Sequence, residues 1–259
     1  MEFVGNIARK TGEPSLLAVE IAKTQKAAEI GKECGLFYVP KVVNFDAEAG
    51  IIEFEHLSGL ITLFELAIRK DPRLFELLEK TGQALVAIHE KLVLPADMKI
   101  NLPDEWMDDA DNVFIHGDFT GENVCFDKSA NRLVILDWSA APLLGRRVTF
   151  GVRYFDIIWF AYYLFYCMPA KNITRWNACR MVDKFLDGYA SSNAHDLSVS
   201  KFRHFMYPMY QLQKRLVWQQ AFRHPWPKNV AFIALQAWIY FRWRAYRPKG
   251  LFYGCGRKG

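Results

Sequence analysis

Residues 114–124 read FIHGDFTGENV, and residues 134–139 read VILDWS. Each stretch begins with apolar residues and ends in polar ones, which predicts two short strands that lead into loops. Asp118 and Asn123 follow the first strand, and Asp137 follows the second. Carboxylate and amide oxygens are ligands that Mg²⁺ prefers, and a carboxylate can also accept the proton of a substrate hydroxyl. The pattern therefore favours phosphoryl transfer, which requires a positioned hydroxyl and bound metal ions.

The two stretches resemble the catalytic segments of the aminoglycoside and choline phosphotransferase superfamily, the small-molecule relatives of protein kinases. HGD at 116–118, followed by Asn123, is similar to that family's H-G-D-x-x-x-x-N loop. LDWS at 136–139 is similar to its I-D-W/F segment, the counterpart of D-F-G in protein kinases. The resemblance implies that Asp118 is the catalytic base or orients the hydroxyl. It also implies that Asn123 and Asp137 hold Mg²⁺, with ATP as the phosphate donor.

Other residues match family positions that support this loop. The resemblance implies that His116 braces the loop and does no chemistry. Asp156, in RYFDII at 153–158, resembles a later aspartate that supports the loop from a helix. TGQALVAIH at 81–89 resembles the helix that precedes the loop and ends in L-H. We therefore expect His89 to have a structural role.

The residues that would bind the nucleotide phosphates match the family less closely. IARK at 7–10 is similar to the V-A-I-K strand of the family, which makes Lys10 the candidate phosphate-binding lysine. The family pairs this lysine with a glutamate on a helix. Glu20 is the expected partner because it lies on the following predicted helix, and Glu29 is the alternative.

The link between the two expected lobes is the candidate adenine site. Contacts would come mainly from backbone groups near Glu55, His56 and Leu57. No G-x-G-x-x-G occurs before Lys10, and only nine residues precede this lysine. Two strands of the family's small lobe are therefore missing, or another element covers the phosphates.

Hydrophobic periodicity divides the chain into a small mixed part and a larger helical part. Residues 1–58 combine a strand over 3–10, a helix over 16–34 that is capped by Ser15, and a hairpin; they form the predicted N-terminal nucleotide-binding lobe. Residues 59–259 begin with a predicted helix over 60–69 and form the C-terminal lobe with the catalytic loop and the acceptor site. With the resemblance, this predicts an α+β, two-lobed, protein-kinase-like fold. Its N-terminal β-rich lobe is reduced, and its C-terminal lobe is mostly helical.

Composition excludes several classes of protein. The chain has 259 residues, of which 51% are hydrophobic and 24% are charged, so it can bury a sizeable core and is not intrinsically disordered. No apolar run reaches the roughly 20 residues of a membrane-spanning helix. The first residues lack the basic and apolar regions of a signal peptide. The five cysteines are scattered, which indicates neither a disulfide framework nor a zinc site. We expect a cytoplasmic protein.

Charge is distributed unevenly along the chain. Residues 201–259 contain 12 Lys or Arg, 15 aromatic residues and no Asp or Glu, whereas the first 200 residues contain 21 basic and 28 acidic residues. An apolar run at 230–241 precedes RWRAYR at 242–247. This order is typical of a segment at a membrane interface, and a buried helix with a basic tail is the alternative. Acidic residues cluster at 104–111. We interpret this cluster as solvated surface, and a role in substrate binding is the alternative because the catalytic motif is near.

The expected acceptor is a small molecule. Only 18 residues separate Asp137 from Asp156, and no A-P-E segment is present, so a protein substrate is not expected. The family resemblance implies a hydroxylated acceptor bound by the C-terminal helices, and the basic segment favours an anionic or lipid-linked, sugar-like one at the inner face of the membrane. Two alternatives stay open: a kinase that inactivates an aminoglycoside or macrolide, and a catalytically silent kinase-like binding module. Nucleic acid is not expected, because no RNA- or DNA-binding motif is present.

Overall fold

The computed structural model describes residues 2–108, 110–139, 141–143, 146–166, 176–192, 197–221 and 228–249. The strands are β1 (Glu2–Val4), β2 (Ile7–Thr11), β3 (Val42–Asp46), β4 (Ile51–Glu55), β5 (Leu60–Thr62), β6 (Asn112–Phe114), β7 (Val124–Asp127), β8 (Arg132–Ile135), β9 (Ala141–Leu143), β10 (Arg146–Val148) and β11 (Phe150–Val152). The helices are α1 (Pro14–Cys34), α2 (Leu63–Arg69), α3 (Leu74–Lys91), α4 (Tyr154–Tyr166), α5 (Ala178–Ser192), α6 (Val199–Ala221) and α7 (Lys228–Ala245). No helix in these ranges is long and apolar enough to cross a membrane.

The N-terminal sheet has four antiparallel strands in the order β1-β2-β4-β3. The prediction of a single strand over 3–10 was wrong, because the chain turns at Gly5 and forms a hairpin. Gly5 has a φ of 58°, a left-handed conformation that glycine adopts without steric cost. Lys10 lies on β2 opposite Ile52 of β4. The hairpin thus gives the strand of Lys10 a neighbour on each side.

Helix α1 packs behind this sheet and joins the larger core. Its N-cap is Glu13, two positions before the predicted cap at Ser15, because Pro14 is well suited to the first turn of a helix. It ends at Gly35 as predicted, where a φ of 66° closes the helix. The next segment is bonded to β8, since the Tyr38 N–H donates to the Leu133 carbonyl at 2.8 Å. The two parts of the chain therefore share backbone hydrogen bonds.

The predicted helix over 60–69 is a strand followed by a helix. Leu60–Thr62 pairs with β7, and α2 starts at a capping box made by Thr62 and Glu65. The link before it, at residues 56–59, includes Gly59 with a φ of 76°. The division of the chain into lobes at residue 58 stays a prediction.

Helix α4 is the centre of the helical part. Every residue from Tyr154 to Tyr162 is buried, so this helix is surrounded by protein on all sides. Helices α3 and α5 cross at close range, and a Cβ atom added to Gly188 would lie 1.9 Å from the Glu79 carbonyl oxygen. Helix α5 begins at Ala178, and residues 167–175 lie outside the described ranges.

The sequence suggested that the acidic cluster at 104–111 is solvated surface, but two of its carboxylates form ion pairs. The Lys201 ammonium of α6 lies 3.1 Å from an Asp108 carboxylate oxygen and also bonds to Asp111. Asp111 lies 3.6 Å from the buried Arg153 guanidinium. Basic residues of the C-terminal part thus neutralise these carboxylates.

Candidate active site

The catalytic loop (residues 115–123) connects β6 to β7 and is fixed by Asp156 at the start of α4. The Asp156 carboxylate accepts the His116 N–H at 2.7 Å and the Gly117 N–H at 2.8 Å. It also accepts the His89 Nε2–H at 3.1 Å, and its own exposed fraction is 0%. Burial alone would raise the pKa of Asp156, but the hydrogen bonds from His89 and from the Gly117 N–H help to reverse this, so the net shift is downward. A charged carboxylate therefore holds the loop.

His116 joins the catalytic loop to the loop after β8 (residues 136–139). Its Nε2 lies 3.1 Å from the Leu136 carbonyl oxygen, and its Nδ1 accepts the Asp118 N–H at 3.3 Å. These partners assign the neutral tautomer with the proton on Nε2. Burial lowers the pKa of His116 to about 4, so the ring stays neutral at pH 7. This geometry suits the bracing role implied by the resemblance.

Both oxygens of the Asp118 carboxylate are oriented by side-chain donors. The Asn123 amide donates to one oxygen at 2.9 Å, and the Trp159 indole N–H donates to the other at 3.1 Å. Burial raises the pKa of Asp118 above its usual range. Trp159 was not identified from the sequence. Its one signal is its spacing, three residues after Asp156 on a helix, which puts both side chains on the same helix face.

The structure brings Lys10, Glu20 and Asp137 together. The Lys10 ammonium lies 2.9 Å from both carboxylate oxygens of Glu20 and 3.5 Å from an oxygen of Asp137. Burial raises the pKa of Glu20, and the bond to Lys10 only partly opposes this. For Asp137, burial is outweighed by the Lys10 charge, and the pKa falls. The alternative partner Glu29 is elsewhere, in an exposed pair with Lys26 at 2.9 Å.

Asp137 has an unusual backbone conformation. Its φ is 53°, in the left-handed region that non-glycine residues adopt only occasionally and that is often found at functional sites. Its carboxylate accepts the Ser139 hydroxyl at 2.8 Å, and its side chain is 40% exposed. The turn therefore presents a carboxylate with access to ligand.

A cavity of about 370 Å³ lies beside these residues. Its polar lining includes Glu20, Asn123 and Asp137. Its apolar lining comes from Phe3, Ala8, Val39, Pro40, Phe54, Leu57, Leu60, Leu136 and Trp138. An apolar cavity with a few convergent polar groups is typical of a cofactor site.

The three residues predicted near adenine, Glu55, His56 and Leu57, all line this cavity. The Glu55 carboxylate accepts the Tyr38 hydroxyl at 2.5 Å and the Lys41 N–H at 3.3 Å. Its side chain is thus already engaged, and its contribution to a ligand would come from the backbone. Leu57 follows β4 and adds apolar surface to the cavity.

The donor atoms at the cavity fit Mg²⁺. Because the Asn123 amide nitrogen donates to Asp118, the amide oxygen is the atom that can face a cation. Asp137 supplies a partly exposed carboxylate at the same cavity. Mg²⁺ is commonly bound by one or two such oxygens together with phosphate and water.

Comparisons with known proteins give matches in structure alone. No family model and no curated protein sequence matches the chain. A choline/ethanolamine kinase family protein from Mesorhizobium loti aligns with a TM-score of 0.58 and 15% identity, over 93% of this chain and 82% of that one. The choline kinase LicA from Streptococcus pneumoniae aligns with a TM-score of 0.54 and 15% identity, over 93% and 86%. A glucosamine kinase in complex with glucosamine, ADP and inorganic phosphate aligns with a TM-score of 0.57 and 14% identity, over 92% and 78%.

These matches show the fold. The chain has the protein-kinase-like fold of these small-molecule phosphotransferases, with a small antiparallel sheet and a mostly helical remainder. The predicted fold class is therefore confirmed.

Proposed function

We propose that the protein is an ATP- and Mg²⁺-dependent phosphotransferase that moves the γ-phosphate to a hydroxyl of a small-molecule acceptor. The observation that supports this function is the convergence of Glu20, Asn123 and Asp137 on one cavity. Lys10 is bonded to Glu20, and Asp118 accepts a hydrogen bond from Asn123. Neighbours of the same fold are choline and glucosamine kinases, one of them with ADP bound. The complete set of residues favours an enzyme over a silent binding module.

The geometry suggests how the nucleotide is bound. Lys10, held by Glu20 at 2.9 Å, would contact the phosphates, and the apolar side of the cavity would cover the adenine. Asn123 and Asp137 would hold Mg²⁺, which neutralises phosphate charge when bound. Asp137 also lies 3.5 Å from Lys10, so the metal site and the phosphate site adjoin.

Asp118 is arranged to accept the proton of the acceptor hydroxyl. Each of its oxygens accepts one N–H, from Asn123 and from Trp159, and keeps a second lone pair for the substrate. The raised pKa makes the carboxylate a stronger base, which aids proton transfer. Because the carboxylate must be ionised, activity should fall as the pH drops through a pKa above the usual aspartate value.

We further propose that the acceptor is lipid-linked and that α7 faces an anionic membrane. Val230, Ile233 and Phe241 are 44%, 44% and 65% exposed, and their spacing puts them on one side of α7. The exposed Arg244 lies on the same side. An apolar stripe with basic residues is the arrangement by which interfacial helices bind anionic lipid.

Transfer of phosphate from γ-labelled ATP with Mg²⁺ tests the function and the acceptor class together. Polar metabolites and membrane lipids from a cell extract are assayed separately, beside choline, glucosamine, an aminoglycoside and a macrolide. We expect label in the lipid fraction, and Asp118→Asn should abolish it. Label only in a soluble acceptor would contradict the lipid-linked acceptor. Nucleotide binding without transfer to any acceptor would contradict the enzyme and favour the silent module.

Sedimentation with vesicles tests the membrane contact. The doubly substituted protein Phe241→Ser, Arg244→Glu should bind phosphatidylglycerol vesicles about tenfold more weakly than the wild type, because it loses one apolar and one basic contact. Lys26→Glu on α1 is the charge-matched control and should bind normally. Equal binding by all three proteins would contradict an anionic membrane partner. Wild-type binding to phosphatidylcholine vesicles as strong as to phosphatidylglycerol vesicles would contradict it as well.

A further inference from the structure

Lys23 is a lysine of α1 whose side chain is completely buried. Its exposed fraction is 0%, and its ammonium donates to the His116 carbonyl oxygen at 2.7 Å and to the Ser139 carbonyl oxygen at 3.2 Å. His116 belongs to the catalytic loop, and Ser139 lies two residues after Asp137. One side chain therefore joins α1 to both loops of the site.

The same face of α1 also reaches the phosphate-binding strand. Glu20 lies three residues before Lys23, so the two side chains project from one side of the helix. Glu20 holds Lys10 of β2 through both carboxylate oxygens. A movement of α1 would thus disturb β2, the catalytic loop and the loop after β8 together.

The surroundings of Lys23 are unusual for a structural residue. Among the described hydrogen bonds and ion pairs, none joins its ammonium to a carboxylate. The carboxylates that act on it at longer range are Asp156, Asp137, Glu20 and Asp118. Burial lowers the pKa of Lys23 to about 8, and the carboxylates oppose this, so the ammonium form still predominates at pH 7.

Burial of this charge is unfavourable for folding. A buried ammonium costs free energy, and apolar residues of similar volume are often equally stable or more stable at such positions. Stability alone therefore gives no reason for a lysine here. The two carbonyl groups that Lys23 contacts give such a reason, because both belong to loops that carry the proposed functional side chains.

We propose that Lys23 is a positioning residue for phosphoryl transfer. It holds the main chain at His116 and Ser139 in register with the Glu20–Lys10 pair, which sets the separation of Asp118 and Asp137 from the nucleotide phosphates. The inference rests on the proposed function and adds a residue to it. A misplacement of about 1 Å in such a site can reduce the rate about 100-fold.

Kinetics and hydrogen exchange of Lys23→Met test this role, with Lys26→Met as the matched control. Lys26 is on the same helix but pairs with Glu29 at the surface. In Lys23→Met we expect kcat to fall at least about tenfold while KM for ATP changes less than about threefold. We also expect faster amide exchange in residues 116–118 and 136–139, with α3 and α4 unchanged. Lys26→Met should match the wild type in both measurements.

Two results would overturn the proposal. One is a kcat for Lys23→Met within twofold of that of Lys26→Met. The other is faster exchange throughout α3 and α4, which would indicate general loosening. If Lys23→Met does not fold, Lys23→Gln, which keeps a polar side chain, is measured with the same expectations. If the wild type binds nucleotide but transfers no phosphate, the proposed function fails, and the exchange pattern alone decides the role of Lys23.

Discussion

The catalytic loop and the β1–β2 hairpin present their functional groups in opposite ways. The catalytic loop is buried and braced: His116 and Phe119 are 0% exposed, and Asp156 accepts two loop N–H groups. The hairpin is open: Phe3 is 60% exposed, and Lys10 is held by an ion pair to α1. The proposed chemical groups are thus preorganised by folding, whereas the hairpin, which lines the proposed nucleotide cavity through Phe3 and Ala8, is held by fewer contacts.

Removal of the brace should have the largest effect on stability. Asp156→Ala leaves His89 and the N–H groups of His116 and Gly117 buried without their partner, so we expect the free energy of unfolding to fall by about 4 kcal/mol. Urea unfolding measures this change. The exposed Asp97→Ala is the control and should stay within about 0.5 kcal/mol of the wild type. A similar small loss in Asp156→Ala would show that the loop is not held by this carboxylate.

Acid should weaken the same region. Burial lowers the pKa of His116 to about 4, whereas an unfolded histidine titrates near pH 6.5. Between these values the unfolded chain binds a proton that the folded chain does not, so stability falls as the pH falls. We expect a loss of about 3 kcal/mol between pH 6.5 and pH 4. In urea unfolding, His116→Gln should show a smaller slope with pH, and an unchanged slope would contradict a neutral buried ring.

Substitution of Lys10 in the hairpin should reduce the use of ATP much more than it reduces the stability of the protein. For Lys10→Met we expect kcat/KM for ATP to fall about 100-fold, because a phosphate-binding charge is lost. Arg9→Met is the neighbouring control, since Arg9 points to the other face of β2 and pairs with Glu53 at 2.8 Å. Initial rates at varied ATP measure both. Equal losses in the two variants would contradict a specific phosphate contact by Lys10.

The smallest effect is expected at the tip of the hairpin. Phe3 lines the cavity, and its ring centroid lies 4.8 Å from that of His56. We expect Phe3→Ser to raise the nucleotide Kd about threefold and to change the free energy of unfolding by less than about 0.5 kcal/mol. Calorimetric titration measures the nucleotide Kd of Phe3→Ser and of Val4→Ser, the comparison variant at a residue that is 50% exposed. A loss of stability above that of Val4→Ser would mean that the hairpin is part of the rigid core.

The sequence predicted the candidate site residues that stand in recognisable motifs, including Lys10 and Asp137, which are 127 residues apart. Asp118 and Asn123 are five residues apart, and this short spacing is enough to predict the catalytic loop. Trp159 and Lys23 were not predicted, because their contacts span 41 residues in one case and 93 and 116 in the other. Such contacts depend on how helices pack, which local patterns do not encode.

The fold shows the same limit. The long helix α1 was predicted, over 16–34, because its apolar spacing extends over several turns. Strands β9, β10 and β11 were missed, since each has three residues and too little alternation to recognise. The β1–β2 hairpin was missed because its turn at Gly5 was interpreted as part of a strand. Short elements are defined by their partners more than by their own residues.

The most direct test of the account is single-turnover transfer of the γ-phosphate by Asp118→Asn beside Glu122→Gln. Glu122 is an exposed carboxylate of the same loop, so it controls for a change of charge. We expect a rate about 10³-fold lower for Asp118→Asn, with the nucleotide Kd within about threefold of the wild type, and a normal rate for Glu122→Gln. Transfer by Asp118→Asn at more than about a tenth of the wild-type rate would contradict Asp118 as the base.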